Sequence, residues 1–270
     1  MKRLTVAAAL LVVGILLGYW WHELRVAPPL AQFVMAKRIV DLSVTITEDL
    51  PLRHLGARAV QFLQFPSKTS FKKRVIEQPN LYVSTSTYEL WNHGGTHLDP
   101  ANHFIKGALS ADAYPLTKLI GPARVLDFRD KPRDEPITLA DLKNKGIQAG
   151  DIVIVYTGYQ PPTHDSDWPS YPYLSGEAAE WLAQLPIKTF ATDMPGTVSL
   201  RRLPELLSSG KTPGEVGPEH LAFLTREIPN IEGLTNLESL VGEPNVVFVG
   251  FPLKVKDSDG GLMRAAALVY

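Results

Sequence analysis

Residues 151–157 have the sequence Asp-Ile-Val-Ile-Val-Tyr-Thr, a short apolar run that predicts the fold class. Its apolar residues occupy consecutive rather than alternating positions, which is typical of a β-strand buried on both faces. Residues 245–251 (NVVFVGF) show the same pattern, and residues 123–128 and 189–193 are further apolar runs of strand length. Strands of this kind need other elements packed over the sheet, so the sequence favours a covered sheet.

Outward from these runs, the remaining patterns predict further strands and a few helices. Alternation over 39–47 and a β-branched, aromatic stretch over 81–91 indicate two strands. Ser175 is a good N-cap and Pro218 suits a first helical position. The predicted helices are 138–144, 175–184 and 218–225. Because strands and helices interleave, we predict an α/β or α+β class with a mixed sheet.

The composition excludes several classes of protein. The chain has 270 residues, 45% hydrophobic and 20% charged, as in an ordinary folded protein. A formal net charge of −1 gives no electrostatic footprint for a nucleic-acid partner. The absence of cysteine excludes disulfides, thiolate nucleophiles and cysteine-ligated metal sites.

The N-terminal region is predicted to be separate from the globular part. Lys2 and Arg3 precede an apolar run over 4–21, which as a helix would span about 27 Å, close to a bilayer core of about 30 Å. The run ends in aromatic residues without a small-x-small cleavage site directly after it, which favours a retained anchor over a cleaved signal peptide and a secreted product. The positive-inside rule then places the rest of the chain on the extracytoplasmic side, periplasmic or extracellular. The predicted regions are a membrane anchor over 1–26, a linker over 27–37 and one globular domain over 38–270.

Candidate functional residues concentrate in residues 93–104, which have the sequence HGGTHLDPANHF. Imidazole and carboxylate side chains are the ligands that a borderline or hard divalent ion such as zinc or manganese prefers. In a straight strand, His93 would lie about 13 Å from His97, so the chain must curl at the glycine pair 94–95 for both to reach one ion. The alternative is a polar turn with solvated histidines. The spacing favours the metal site.

Residues 93–103 resemble the signature H-x-G-T-H-x-D-x-x-x-H of the metal-dependent cyclase family, which includes bacterial kynurenine formamidase and isatin hydrolase. Further similarities are IVDLS at 39–43, YTGY at 156–159, TDMP at 192–195, HLAFL at 220–224 and IEGLTNL at 231–237. The resemblance covers residues 38–270. It implies a swivelling β/β/α domain of mixed α/β class, built on a mixed β-sheet or barrel.

The resemblance also implies roles for individual residues. The positions that match the family's metal ligands are His93, His97, Asp99, His220 and Glu232. Asp99 would bridge to a second ion held by His220 and Glu232, giving one or two zinc or manganese ions per subunit, and His103 matches the catalytic acid/base. Taken alone, His220 is more simply a histidine at a helix N-terminus and Glu232 a solvated loop carboxylate, but their place twelve residues apart behind the signature favours the ligand role. The family also implies a possible homodimer.

The chain departs from the family pattern at two places. Pro100 directly follows Asp99, where the family has alanine before proline. Residues 50–54 (LPLRH) replace the Trp-Pro-Gly stretch whose tryptophan lies over the substrate of the kynurenine formamidases, which argues against N-formylkynurenine as the substrate. Residues 199–217 are expected to form a loop near the pocket.

Several other residues have two interpretations. Thr96 and Asn102 are candidates either for hydrogen bonds to the ligands or for orienting the turn. His54 and His164 match no motif position and are expected at the surface or in the pocket. Five aromatic residues are candidates for lining a substrate pocket, with core packing as the alternative for at least half of them: Tyr156, Tyr159, Trp168, Tyr171 and Tyr173.

We therefore predict a metal-dependent hydrolase of an amide, formamide or cyclic amide, with a small molecule as substrate. A metal-activated water would attack the carbonyl, and His103 would carry the proton to the leaving amine. A covalent acyl-enzyme is disfavoured because the chain has neither cysteine nor a G-x-S-x-G elbow. The alternatives are a metal-dependent lyase or cyclase, and a membrane-tethered module that binds a metal or ligand without turnover.

Overall fold

A computed structural model describes residues 35–210 and 217–270. The strands of these residues are β1 Arg38–Asp41, β2 Ser70–Gln78, β3 Leu81–Glu89, β4 His97–Asp99, β5 Ile120–Asp127, β6 Pro136–Ile137, β7 Ile152–Tyr156, β8 Tyr173–Leu174, β9 Thr189–Thr192, β10 Asn230–Glu232, β11 Val246–Pro252 and β12 Gly261–Val269. Their α-helices are α1 Leu50–Leu55, α2 Ala57–Leu63, α3 Leu139–Leu142, α4 Gly176–Gln184, α5 Leu203–Ser208 and α6 Pro218–Leu224.

Seven of the strands close into a barrel. Their order is β12-β11-β5-β7-β9-β10-β4, and β4 pairs back onto β12. Strands β5, β7, β9 and β10 run parallel to one another, whereas the other pairings of the ring are antiparallel. β1 pairs with β12 outside the ring. The predicted mixed α/β class is confirmed, and of the two predicted architectures, sheet or barrel, the barrel is the one observed.

Strand β7 is buried on both faces, as its sequence predicts. Ile152 and Ile154 belong to one hydrophobic cluster together with residues of β10, β11 and β12. Val153 and Val155 belong to a second cluster, which also contains residues of α4 and α6. The parallel strands therefore have apolar cover on both sides, which is the arrangement such sheets require.

The three predicted helices form at the expected places. The Ser175 hydroxyl accepts a hydrogen bond from Ala178 N at 3.1 Å and caps α4. Pro218 occupies the first turn of α6. The helix predicted over 138–144 is shorter, because only α3 is helical after its N-cap Thr138.

Two strand predictions were partly wrong. The strand predicted over 39–47 ends at Asp41, and beyond it only a single bridge joins Ser43 to Leu234. Residues 245–251 were predicted to be buried on both faces, but β11 alternates: Phe248 is buried, whereas Phe251 is 41% exposed. The outer face of β11 is therefore only half covered. The strand predicted over 81–91 is confirmed as β3, which forms an exposed hairpin with β2.

The membrane-anchor prediction over 1–26 lies outside the described residues. Among the helices of residues 35–210 and 217–270, none has both the length and the apolar character needed to cross a bilayer. Most of the predicted linker over 27–37 also lies outside the described part of the chain. Residues Lys37–Val269 form one compact unit.

Candidate metal centre

The pairing of two short strands brings together three of the predicted ligands. In the antiparallel pair of β4 and β10, His97 lies opposite Glu232, and Leu98 lies opposite Ile231. Leu98 and Ile231 belong to the same fully buried hydrophobic cluster. Since successive side chains of a strand point to opposite faces, His97, Asp99 and Glu232 share the other face.

The chain curls at the predicted glycine pair, just before β4. Gly95 has a φ of +88°, and a Cβ there would lie 2.8 Å from Leu50 Cδ2. Only glycine fits this close, left-handed turn. The curl brings His93 Nδ1 to 2.8 Å from Asp99 Oδ1, while His97 Nε2 lies 3.2 Å from the same oxygen. The predicted juxtaposition of the two histidines is confirmed.

Helix α6 contributes His220 from the other side. Its Nε2 lies 3.3 Å from Glu232 Oε1 and 3.6 Å from Asp99 Oδ2. Two groups of possible metal ligands result, in each of which the donor atoms lie within 4.8 Å of one another. The groups are His93, His97 and Asp99, and Asp99, His220 and Glu232. Asp99 belongs to both.

Hydrogen bonds on the remote ring nitrogens orient two of these histidines. Gly95 O accepts from His97 Nδ1 at 2.8 Å, which turns Nε2 of His97 toward the carboxylates. Thr197 Oγ1 lies 2.8 Å from His220 Nδ1 and 3.2 Å from His220 Nε2, and this Nε2 also faces the carboxylates. Thr197 N also donates to Glu232 Oε1 at 3.0 Å. Thr197 was not predicted, because a threonine in a loop carries no ligand-type signal.

His103 lies beside the two groups without belonging to either. Its ring centroid is 4.2 Å from that of His93, with an angle of 34° between the planes. It instead forms a third group with His93 and Asp259. Asp259 was not predicted; the only signal in the sequence is an acidic residue in the turn DSDGG before β12, a strand that was not predicted either.

Buried opposite charges set the protonation of the cluster. Burial disfavours the charged form of His97, but the carboxylates of Asp99 and Glu232 outweigh this and raise the pKa of His97 to about 9. The same balance raises the pKa of His220 to about 10. For Asp99, burial is outweighed by the nearby histidines, which hold its pKa well below the usual range. His103 differs, since burial dominates and lowers its pKa.

The donor set fits a divalent metal ion. Asp99 and Glu232 are 1% and 4% exposed, and buried carboxylates are stable only with positive partners. Protonated His97 and His220, whose pKa values are raised, provide such charge, and a divalent ion held by these side chains would also provide it. Three imidazoles and two carboxylates are a suitable set for zinc or manganese.

The cluster forms the polar floor of a cavity of about 460 Å³. Its walls are largely apolar: Leu55, Leu63, Phe65, Trp91, Phe104, Val198, Leu200, Leu203 and Leu207. None of the five aromatic residues proposed from the sequence is among the lining residues, and Tyr171 and Tyr173 pack in the hydrophobic core. Of the loop predicted over 199–217, the described part contains α5, whose Leu203 and Leu207 reach the cavity.

The four other polar residues named from the sequence do not bind the candidate ligands. Thr96 Oγ1 donates to Gly233 O at 2.6 Å and accepts from Val44 N at 3.0 Å, so it orients the turn rather than a ligand. Within the described residues, Asn102 Oδ1 has no hydrogen-bond partner. His54 is buried and lies neither at the surface nor among the lining residues of the cavity, and burial lowers its pKa to about 4. His164 is exposed.

Comparison with known proteins gives consistent similarities. The family model described as "Putative cyclase" matches residues 40–197. The kynurenine formamidase of Erythrobacter litoralis is 29% identical over 236 residues, which covers 85% of this chain and 93% of the relative. The isatin hydrolase of Roseibium aggregatum is 26% identical over 222 residues, covering 72% and 80%.

A solved structure shows the same fold. Isatin hydrolase A from Labrenzia aggregata, bound to benzyl benzoate, superposes with a TM-score of 0.66 at 23% sequence identity. The match covers 86% of this chain and 93% of that chain. The likeness at this level of identity concerns the arrangement of strands and helices.

Proposed function

Since the chain belongs to the cyclase family, we propose that the cluster around Asp99 is the metal centre of a hydrolase that cleaves the C–N bond of an amide, formamide or cyclic amide. The enzyme class is that of its relatives, because kynurenine formamidase and isatin hydrolase are both hydrolases of C–N bonds. The observation that carries the proposal is the pair of ligand groups that share Asp99 on the floor of one cavity.

The five ligand candidates divide between two ions. His93, His97 and Asp99 would hold one, and Asp99, His220 and Glu232 the other. When bound, a divalent ion supplies Lewis-acid polarisation of a carbonyl and lowers the pKa of water toward about 7. The β4–β10 pairing keeps His97, Asp99 and Glu232 in place, and Thr197 orients His220.

His103 is placed for proton transfer in this reaction. It lines the cavity next to His93, and its lowered pKa keeps the imidazole neutral at pH 7, so that it can accept a proton. We assign to it the removal of a proton from the attacking water and its delivery to the leaving nitrogen. An amide nitrogen is a poor leaving group until protonated, so this second transfer is the one the reaction most needs.

The walls of the cavity support an apolar, aromatic substrate. Phe65, Trp91 and Phe104 lie on the walls with leucines from α1, α2 and α5, above the polar floor. The stretch LPLRH at 50–54 forms most of α1, and the adjoining Leu55 reaches the cavity. The segment that carries tryptophan in the kynurenine formamidases therefore presents leucine here, which supports an aryl amide other than N-formylkynurenine.

The test is turnover by the metal-loaded protein on a panel of aryl formamides, anilides and cyclic imides. The expected result, dependent on added zinc or manganese, is the addition of one water per turnover: formamides and anilides release amine and acid in equal amounts, and cyclic imides give a single ring-opened acid. Products that together contain the atoms of the substrate with no water added, from ring closure or elimination, would support the lyase or cyclase alternative instead. Tight metal binding with no turnover of any panel member would support the binding module.

We further propose that residues 1–26 anchor the enzyme in a membrane with its catalytic domain on the extracytoplasmic side. The apolar run over 4–21 and the preceding Lys2 and Arg3 support this arrangement. A homodimer is also proposed, and sedimentation of the purified protein tests it.

A further inference from the structure

One of the three candidate ligand histidines lacks the bond that the other two have. Gly95 O holds Nδ1 of His97, and Thr197 Oγ1 holds Nδ1 of His220. His93 faces Asp99 with its own Nδ1, and its other nitrogen, Nε2, is buried without a hydrogen-bond partner among the described residues. A histidine that binds a metal usually donates its second ring N–H to a carboxylate, a carbonyl or water.

The group that faces this nitrogen is the carboxylate of Asp259. Its Oδ2 lies 3.7 Å from His93 Nε2, slightly beyond the reach of a hydrogen bond. Its Oδ1 accepts a hydrogen bond of 2.6 Å from Asn92 Nδ2. The hydrogen bond from Asn92 therefore leaves the other oxygen of Asp259, Oδ2, facing the ring of His93.

The loop that carries Asp259 is built against the His93 ring. A Cβ on Gly260 would lie 2.7 Å from His93 Nε2, so only glycine lets the backbone pass this closely. Ser258 O accepts from Ala111 N at 3.0 Å, and Ser258 Oγ donates to Gly260 O at 2.5 Å. The backbone on either side of Asp259 is thus fixed, while its side chain is 62% exposed and has room to close the remaining gap.

We propose that Asp259 is a positioning residue for the metal centre, which accepts the Nε2–H of His93 and so keeps Nδ1 free to bind the ion beside Asp99. This inference rests on the proposed metal centre. Asp259 does for His93 what Gly95 O and Thr197 Oγ1 do for the other two histidines. As a carboxylate, it also makes the imidazole a stronger donor to the ion.

The test compares Asp259→Asn with the matched control Asp257→Asn in the full-length protein. In the first variant the amide oxygen stays with Asn92, so the NH₂ group faces the N–H of His93 and the hydrogen bond cannot form. Asp257 lies in the same loop, and its side chain is 79% exposed and forms an ion pair with Lys256 at 3.8 Å. Zinc affinity is measured by competition with a chelator, and the tautomer of His93 by ¹⁵N NMR of the zinc-loaded protein.

Asp259→Asn should weaken zinc binding by about 10- to 100-fold, and the Nε2–H of His93 that remains zinc-bound should lose its hydrogen bond and exchange faster with solvent. Asp257→Asn should change neither. Wild-type zinc affinity in Asp259→Asn would overturn the inference. If turnover were lost while zinc affinity and the tautomer of His93 stayed unchanged, Asp259 would act on His103 instead. A wild-type protein that binds no zinc would instead refute the proposed metal centre itself.

Discussion

Replacing Asp99 by asparagine distinguishes one shared metal centre from two independent groups of residues. Asp99 Oδ1 lies 2.8 Å from His93 Nδ1 and 3.2 Å from His97 Nε2, and its Oδ2 lies 3.6 Å from His220 Nε2. Asp99 thus belongs to both ligand groups, whereas Glu232 belongs to one. We expect Asp99→Asn to lose every ion that the wild type binds, and Glu232→Gln to lose only the ion shared with His220.

The expected size of the effect follows from burial. The side chain of Asp99 is 2% exposed, and removing one member of a buried charge pair costs about 3–5 kcal/mol. Because asparagine keeps one oxygen and the nearby Glu232 keeps its charge, we expect the lower end, about 3 kcal/mol. At 1.4 kcal/mol for each factor of ten, the affinity for each ion falls by about 100-fold.

The assay is elemental analysis of proteins dialysed against the same chelator concentration. Asp193→Asn is the matched control, because Asp193 is also buried but accepts its hydrogen bonds from Thr157 and Tyr159 instead of facing the cavity. Its melting temperature should fall and its metal content should stay at the wild-type value. Full metal content in Asp99→Asn, or loss of only part of it, would refute the shared centre.

Three further predictions concern turnover, pH and location. His103→Ala should keep its metal while kcat falls by about 10²- to 10⁴-fold; loss of the metal in step with His97→Ala would make His103 a ligand. Calorimetry should show metal affinity rising with pH, because His97 and His220, with pKa values of about 9 and about 10, must release protons to bind. Both pKa values lie above the unfolded value of about 6.5, so protonation of these histidines stabilises the metal-free fold fully below about pH 6.5. This stabilisation should be lost as the pH rises through about 9 and 10, and melting temperatures measured over that range would detect the loss. On fractionation, the full chain should sediment with membranes and a chain starting at Arg38 should not; a soluble full-length product lacking its first 20 to 30 residues, roughly, would indicate a cleaved signal peptide.

Strand β7 was predicted correctly because burial decides its structure. β7 has apolar residues at every position, and both of its faces are covered. β12 was missed because its sequence, GLMRAAALV, is rich in alanine and poor in β-branched residues; pairing with β1, β11 and β4 imposes the strand. β2 was missed because its charged residues suit its exposed place in a hairpin.

In the candidate site, contacts between residues close in sequence were predictable, whereas contacts between residues far apart in sequence were not. The curl at the glycine pair 94–95 and the approach of His93 to His97 follow from a few consecutive residues and were predicted. His220 and Glu232 came from the family resemblance, since no local pattern separates them from a helix-end histidine and a loop carboxylate. Asp259 lies beside His93 only because the barrel closes, and no local sequence pattern predicts that contact.

The closure of the barrel by β4 and β12 has a consequence for biosynthesis. His97 lies opposite Leu262 in that pairing and opposite Glu232 in the pairing with β10. Both partners are synthesised long after His97, and contacts so distant in sequence form slowly because a long loop must close first. A ribosome-bound chain without β10 and β12 has the signature histidines but lacks the strands that place Glu232 and Asp259 beside them. We therefore expect the site to become able to hold a metal only after β10 and β12 have been synthesised and paired with β4.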